Sequence, residues 1–473
     1  MTHGEVLAPA GGATRTSARP GWDRAEVTLA VGAFAALCVV VLTAAPFLVE
    51  PDDYAYRASI VAITQGHFLT LTTAQVQALG AQLAGGHWSQ AGLPRPPIAQ
   101  WVRLPGGRWI SEKDPGYPFL AAPFQALGVI RLAPLCYGAL GCLGLFFGAR
   151  RWLGRFGGAA AVGLFCSSGA ALLFAWRDYM PTFTDASLIA AGTGALLWAV
   201  LATDMTTQRR TWVGLAGFAA LEGAVFVRYT DVVVLGCAVV AVTVARRMRT
   251  LPRAALGWWL GSVVVFAAGV ATFDDLVYGG PLASGYRPGE ISFSLAAILP
   301  NARLMPVHLV EAMPVLVPGL AALALIIGRY WRLRRSDCTR AAAVRRDLAV
   351  GLALAASWCA VWGLYAAYGW TGHPGLSTLQ AARFYVPALG AIALLGAWLV
   401  VRVPPRAGLA ALTSAAVLAA LFGLGLWGFA DLRDHAFLGP QHGGPPGRAA
   451  RPGVPHAIVG GGTPGNGAAS LTM

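Results

Sequence analysis

The sequence predicts an all-α polytopic membrane protein with about 11–13 transmembrane helices and a long first extracytoplasmic loop. Three observations carry this. Hydrophobic residues make up 56% of the chain and charged residues 12%, against about 25% charged in ordinary soluble domains. Apolar runs of roughly 17–25 residues, each long enough to cross a bilayer as a helix, recur almost to the end. Arginines collect in alternate short loops between those runs.

Residues 1–26 form a polar tail, read as cytoplasmic. The first apolar run covers 27–49; with no small-residue cleavage site after a short hydrophobic segment, it reads as a retained helix. Residues 50–116 are a non-apolar outer loop and the expected catalytic face. Residues 117–130 are apolar but short and open on prolines and a glycine. Counting them as a span would invert every later loop, so they read as a re-entrant or interfacial helix. Runs follow at 132–149, 157–176, 184–203, 211–228, 230–245, 255–277, 304–328, 347–367, 384–401 and 407–429. The transmembrane domain thus covers 27–430, and the Gly/Pro-rich residues 431–473 read as disordered.

Charge orients the chain. With the N-terminus cytoplasmic, Arg150 and Arg151, Arg209 and Arg210, Arg246 and Arg247, the arginines of 329–346, and Arg402 all fall inside. Asp52, Asp53, Glu112, Asp114, Asp178, Asp185, Asp231 and Asp274 fall outside. The formal charge of +14 is therefore a topology signal and gives no reason to expect nucleic acid. Six of seven cysteines lie in apolar runs, without disulfide or metal spacing. A Gly-rich nucleotide-phosphate loop and a His-rich metal pattern are both missing.

Polar residues at the outer ends of the runs are where chemistry can reside. Asp52-Asp53-Tyr54-Ala55-Tyr56-Arg57 follows the first helix. Two adjacent carboxylates at a membrane surface need solvent, a cation or a basic partner, and serve equally as a solvated cap or as a general base. Glu112-Lys113-Asp114-Pro115 closes the same loop and holds the only lysine of the chain, placed for a lipid phosphate or for interfacial snorkelling. Arg177-Asp178 and Asp185 flank a second outer loop, where Asp185 can also act as a helix-dipole cap. Arg228-Tyr229-Thr230-Asp231 sits between two runs with almost no loop, and an Arg228–Asp231 ion pair is the plain reading. Tyr286 belongs to a Gly/Pro-rich outer turn, and Arg383 opens a helix N-terminus whose dipole it opposes, which calls for an anionic partner. Glu222 lies deep in an apolar run and favours the alternative of a transporter or lipid flippase, against which stand the missing internal repeat and the polar residues gathered at one face.

The order of these pieces resembles the GT-C glycosyltransferases, in particular the branch holding protein O-mannosyltransferases and the lipid A aminoarabinose transferase. Asp52-Asp53 matches the acidic pair of that branch's first outer loop, and Glu112-Lys113-Asp114-Pro115 its Glu-Lys-Pro-Pro segment. The segments 214–230, 278–286 and 382–387 are similar to elements of bacterial members. The resemblance implies a hexosyl- or pentosyltransferase that moves a sugar from a polyprenyl-phosphate carrier to a glycan, lipid or protein acceptor on the extracytoplasmic side. It implies Asp52 as general base with Asp53 assisting, Lys113, Arg228 and Arg383 at the donor phosphate, and Tyr56, Glu112, Asp178, Asp185 and Tyr286 as supporting or substrate-binding residues. No cofactor follows from it, and the two aspartates leave a divalent metal open. Asp114 stands where the branch has its first proline, and Ala55 where the aminoarabinose branch has an arginine, so the substrate does not carry over. The lack of a large soluble domain after the membrane part sets the expectation apart from oligosaccharyltransferases and eukaryotic-type mannosyltransferases.

Overall fold

A computed structural model describes residues 23–44, 51–84, 98, 100–104, 106–247, 251–286, 292–334, 338–369, 371, 382–402 and 407–435. Residues 1–22 and 436–473, which hold most of the two expected tails, lie outside the described residues. The described chain is almost entirely helical, as expected of a polytopic membrane protein. Among the described residues, eight helices are long and apolar enough to cross a membrane, nine if one bent pair counts as a single span. Two shorter apolar helices, Val386–Arg402 and Ala416–Ala430, fall in the last two expected runs.

Helix α1 spans Arg24–Thr43, starting inside the expected tail and stopping short of residue 49. Asp23 caps its start by accepting from the Ala25 amide, and Arg131 donates to the Val41, Leu42 and Ala44 carbonyls at its other end. The expected outer loop is itself folded. It contains α2 (Pro51–Thr64), α3 (Thr73–Ala84) and an antiparallel hairpin of β1 (Trp101–Arg103) and β2 (Trp109–Ser111). Ala55, Ala58, Ala62, Leu71, Val76, Leu79 and Trp101 give this segment a small core of its own. Polar on average, it still places enough apolar residues on facing sides to fold. Helix α4 (Gly116–Ala126) follows; eleven residues reach about 16 Å, too short to cross a bilayer.

The main bundle is α5 (Leu132–Leu153), α6 (Gly157–Cys166), α7 (Gly169–Trp176), α8 (Thr182–Leu201), α9 (Thr207–Val227), α10 (Val232–Arg247), α11 (Arg253–Tyr278), α12 (Leu295–Ala312), α13 (Leu316–Leu333), α14 (Cys338–Ala366), α15 (Leu389–Arg402) and α16 (Ala407–His435). Its deepest packing joins α5 to α8 along small residues, since lipid offers apolar side chains no incentive to leave it and close backbone approach supplies the contact. A Cβ on Gly194 would lie 2.1 Å from the Gly144 carbonyl oxygen.

Two expected spans are broken. The 157–176 run bends by 63° between α6 and α7. Ser168 is extended there (φ −72°, ψ 132°), and its buried hydroxyl finds a partner within the protein by donating to the Ala312 carbonyl at 3.2 Å. The 304–328 run is not one helix: α12 ends at Ala312, and Met313-Pro314-Val315 intervenes before α13. Proline lacks the amide that a continuous helix would need there.

The arginine-rich loops converge at one end of the bundle. Arg150 pairs with the buried Glu26, Arg151 bonds the Leu201 carbonyl and pairs with Asp204, and Arg329 donates to the Arg402 carbonyl. Asp347 of α14 accepts from the indoles of Trp152 and Trp398 at 2.9 and 3.0 Å, tying α5, α14 and α15 together. The opposite end gathers the first turn of α2, the exit of β2, the α7–α8 and α9–α10 turns, and Arg383.

Candidate active site

The acidic pair lies in the first turn of α2, not in a loop. Pro51 suits the first helical position, and carboxylates are favoured at a helix N-terminus. Consecutive helical side chains diverge by about 100°, so Asp52 and Asp53 take different partners. Asp52 Oδ1 lies 3.3 Å from Lys113 Nζ, and Asp52 Oδ2 accepts from Arg383 Nη1 at 2.9 Å. Asp53 faces inward, where Arg177 Nη2 donates to its Oδ2 at 2.7 Å; both side chains are buried.

Lys113 is presented by the exit of the hairpin, where the Glu112 amide bonds the Gln100 carbonyl and the Lys113 amide bonds Ser111 Oγ. Its ammonium touches Asp52, sits 3.4 Å from Glu112 Oε1 and lies 5.2 Å from the Tyr286 ring centroid. Tyr286 reaches this point because Gly285 packs on the same strand exit: a Cβ there would fall 2.5 Å from Glu112 Cα. Tyr56, one turn along α2, meets Tyr117 edge-on at 5.9 Å. Burial alone would raise the Asp52 carboxyl, but Lys113 and Arg383 outweigh it and hold Asp52 well below the usual carboxylate range. Burial likewise opposes charge on Lys113, and Asp52 and Glu112 outweigh it, so the ammonium is held more tightly than in an ordinary lysine.

A second cluster adjoins the first. Arg228 lies 3.6 Å from Asp185 Oδ2, donates to Thr182 Oγ1 at 3.2 Å and donates to the main-chain carbonyl of Arg383 at 3.3 Å. Asp231 is buried beside it, while neighbouring Thr230 hydrogen-bonds the Tyr365 hydroxyl at 2.6 Å. Arg228 thus forms an ion pair with Asp185, on a different helix, while Asp231, the partner expected from the sequence, stays within its electrostatic reach. Asp114 faces the same guanidinium; burial pushes its carboxyl up to about 7, with Arg228 pulling the other way. Asp178 stands apart, 3.9 Å from Arg131 Nε, and burial pushes it up to about 7 as well. The Tyr117 hydroxyl donates to the Asp178 main-chain carbonyl.

The structure therefore brings Asp52, Lys113, Glu112, Tyr286 and Arg383 into one contact group, and joins Arg228 and Asp185 to it through the Arg383 carbonyl. Asp53 and Asp178 sit behind this group, each with its own arginine. The sequence placed Arg177, Asp114 and Asp231 within candidate segments without giving them a role at the site. Arg177 could have been suspected, since an arginine at the end of a wholly apolar helix needs a buried anion. Among the described residues no group of three or more His, Cys, Asp or Glu side chains is arranged to hold a metal.

No protein-family model matches the chain, and no curated protein sequence matches it. Two solved structures are similar to it. ArnT from Cupriavidus metallidurans bound to undecaprenyl phosphate is 17% identical with a TM-score of 0.47, over 85% of this chain and 64% of that one. The same protein in the apo state is 18% identical with a TM-score of 0.47, over 83% of this chain. The chain spans 64% of the length of each.

Proposed function

We propose that this protein is an integral-membrane glycosyltransferase that moves a sugar from a polyprenyl-phosphate carrier to a hydroxyl-bearing glycan, lipid or protein acceptor. The observation that carries the reading is the meeting of Asp52 with Lys113 and Arg383 at one end of the membrane bundle. A carboxylate and two cations on three distant segments make little sense as a solvated cap. They suit a reaction in which a proton leaves a hydroxyl while negative charge builds on a phosphate.

In this reading the carrier's chain lies along the bundle and its phosphate contacts Lys113 and Arg383. Asp52 takes the proton of the acceptor hydroxyl as that oxygen bonds to the anomeric carbon. The bond from that carbon to the phosphate oxygen breaks, and the phosphate leaves on the carrier with its charge met by the two cations. Arg228 supports Arg383 through its carbonyl, and Asp53, fixed by Arg177, orients the first turn of α2. Tyr56, Glu112, Tyr286, Asp185 and Asp178 line or brace the site. The arginine-rich end faces the cytoplasm together with the N-terminus, and the site is extracytoplasmic.

Transfer from radiolabelled polyprenyl-phosphate sugars in membranes tests this. Asp52→Asn should lower transfer by about 10²-fold or more, as expected for loss of a general base, and Lys113→Ala should do likewise. Full transfer by Asp52→Asn would remove the proposed base. Glu222, the residue that favoured transport, is buried and accepts a hydrogen bond from Ser262 of α11 at 2.9 Å. Solute export without sugar transfer would restore the transporter reading.

A further inference from the structure

The contacts of Asp52 are at odds with its proposed task. A general base needs proton affinity and a lone pair facing the acceptor. Both oxygens of Asp52 are engaged by cations, Oδ1 by Lys113 at 3.3 Å and Oδ2 by Arg383 at 2.9 Å, and its proton affinity is correspondingly depressed. The same two cations are the groups proposed to hold the carrier's phosphate.

Lys113 has little freedom to serve both anions at once. Its ammonium is bounded by Asp52, Glu112 and the Tyr286 ring, and its side chain is 11% exposed. A phosphate that takes this cation must therefore replace a carboxylate. The Glu112 side chain is 7% exposed; Asp52, at 15%, is the more accessible of the two. The donor's phosphate is a diester with one negative charge, as on the carboxylate, and its two non-bridging oxygens can accept from Lys113 and Arg383 together.

We propose that Asp52 and the carrier's phosphate compete for Lys113 and Arg383, so that capture of the donor and release of Asp52 as a base are a single exchange. This rests on the reading of the site as a polyprenyl-phosphate site and deepens it. Once its cations turn to the phosphate, Asp52 loses the field that depressed its proton affinity and gains a new anion nearby, and both changes make it a better base. The order of events follows: donor first, acceptor activation second. An acceptor or a water molecule arriving early meets a carboxylate that is poorly able to deprotonate it.

Binding, not transfer, tests the exchange. The full-length protein in detergent is titrated with a sugar-free polyprenyl phosphate as wild type, Asp52→Asn, Asp52→Ala, Asp53→Asn and Lys113→Ala. Removing the competing anion should tighten binding by about tenfold or more in both Asp52 variants, the scale of a hydrogen bond to a charged group. Asp53→Asn should not tighten it, because Asp53 pairs with Arg177. Lys113→Ala should weaken it. Equal or weaker binding by both Asp52 variants, with Lys113→Ala still weakening it, would overturn the exchange and leave the donor site standing. Absence of binding by every protein, the Asp52 variants included, would instead remove the phosphate site and the exchange with it. Asp52→Ala beside the near-isosteric Asp52→Asn guards against one variant failing to fold, judged by a monodisperse elution.

Discussion

Asp114 is the residue whose chemistry differs most from what its neighbours in sequence would suggest. It follows the lysine on a motif where the resembled branch has proline, and it brings a carboxyl to the Arg228 cluster. Burial pushes that carboxyl from an ordinary value of 3.8 up to about 7. The folded state therefore binds a proton that the unfolded state has already lost, and stability falls as pH rises from about 4 towards 7. Asp178 acts in the same direction over the same window. Asp52 has no part in it, because its contribution is present above the usual carboxylate range and is lost only in stronger acid. The thermal transition in detergent should thus decline between pH 5 and 7.5 in wild type and decline less in Asp114→Asn; parallel declines would refute the assignment. Asp52, Lys113 and Arg383 were named as candidates from the sequence, the first two through the resemblance of their motifs and Arg383 because a cation at a helix N-terminus calls for an anion. Their contact was not legible, because it joins three segments that only tertiary packing brings together. The Arg228–Asp185 pairing was hidden for the same reason: a nearer carboxylate in sequence, Asp231, made the local pair the simpler expectation.

At the scale of elements, hydropathy located the apolar helices well and their interruptions poorly. The α6–α7 bend falls at Ser167-Ser168 within an otherwise apolar run, and the Ser168 hydroxyl finds its acceptor on α12, far along the chain. The α12–α13 break was signalled by Pro314, but a run's mean hydropathy takes no account of one missing amide. The hairpin and helices of the outer segment were missed because the segment is polar on average, although its apolar residues face one another. Packing between α5 and α8 offers a direct test. With the Gly194 and Gly144 backbones in contact, even Gly194→Ala must push the helices apart, costing about 1–3 kcal/mol, and Gly194→Val should cost more. Thermal unfolding of the purified variants reads this, and an unchanged transition for both would mean that the interface relaxes freely.

Across the whole molecule, charge patterning was the most informative sequence signal. The arginines that the positive-inside rule assigned to one side do lie at one end of the bundle, although Glu26, Asp204 and Asp347 accompany them as internal partners. Which end faces the cytoplasm is settled by labelling. In a cysteine-free background, Phe68→Cys, exposed on the folded outer segment, should react with an impermeant maleimide from outside the cell. Reaction only after the membrane is opened would invert the orientation and remove the extracytoplasmic mechanism.

The pairing of Asp52 and Glu112 with Lys113 and Arg383 also bears on how a substrate arrives. Two negative and two positive charges packed together cancel at a distance, so this group projects almost no field beyond its own edges. An anionic headgroup is not drawn in from afar and would be recognised only on contact. For the proposed polyprenyl-phosphate donor, encounter would then be a search in the plane of the bilayer, its rate set by the surface density of carrier and by lateral diffusion. Added salt should scarcely alter that rate.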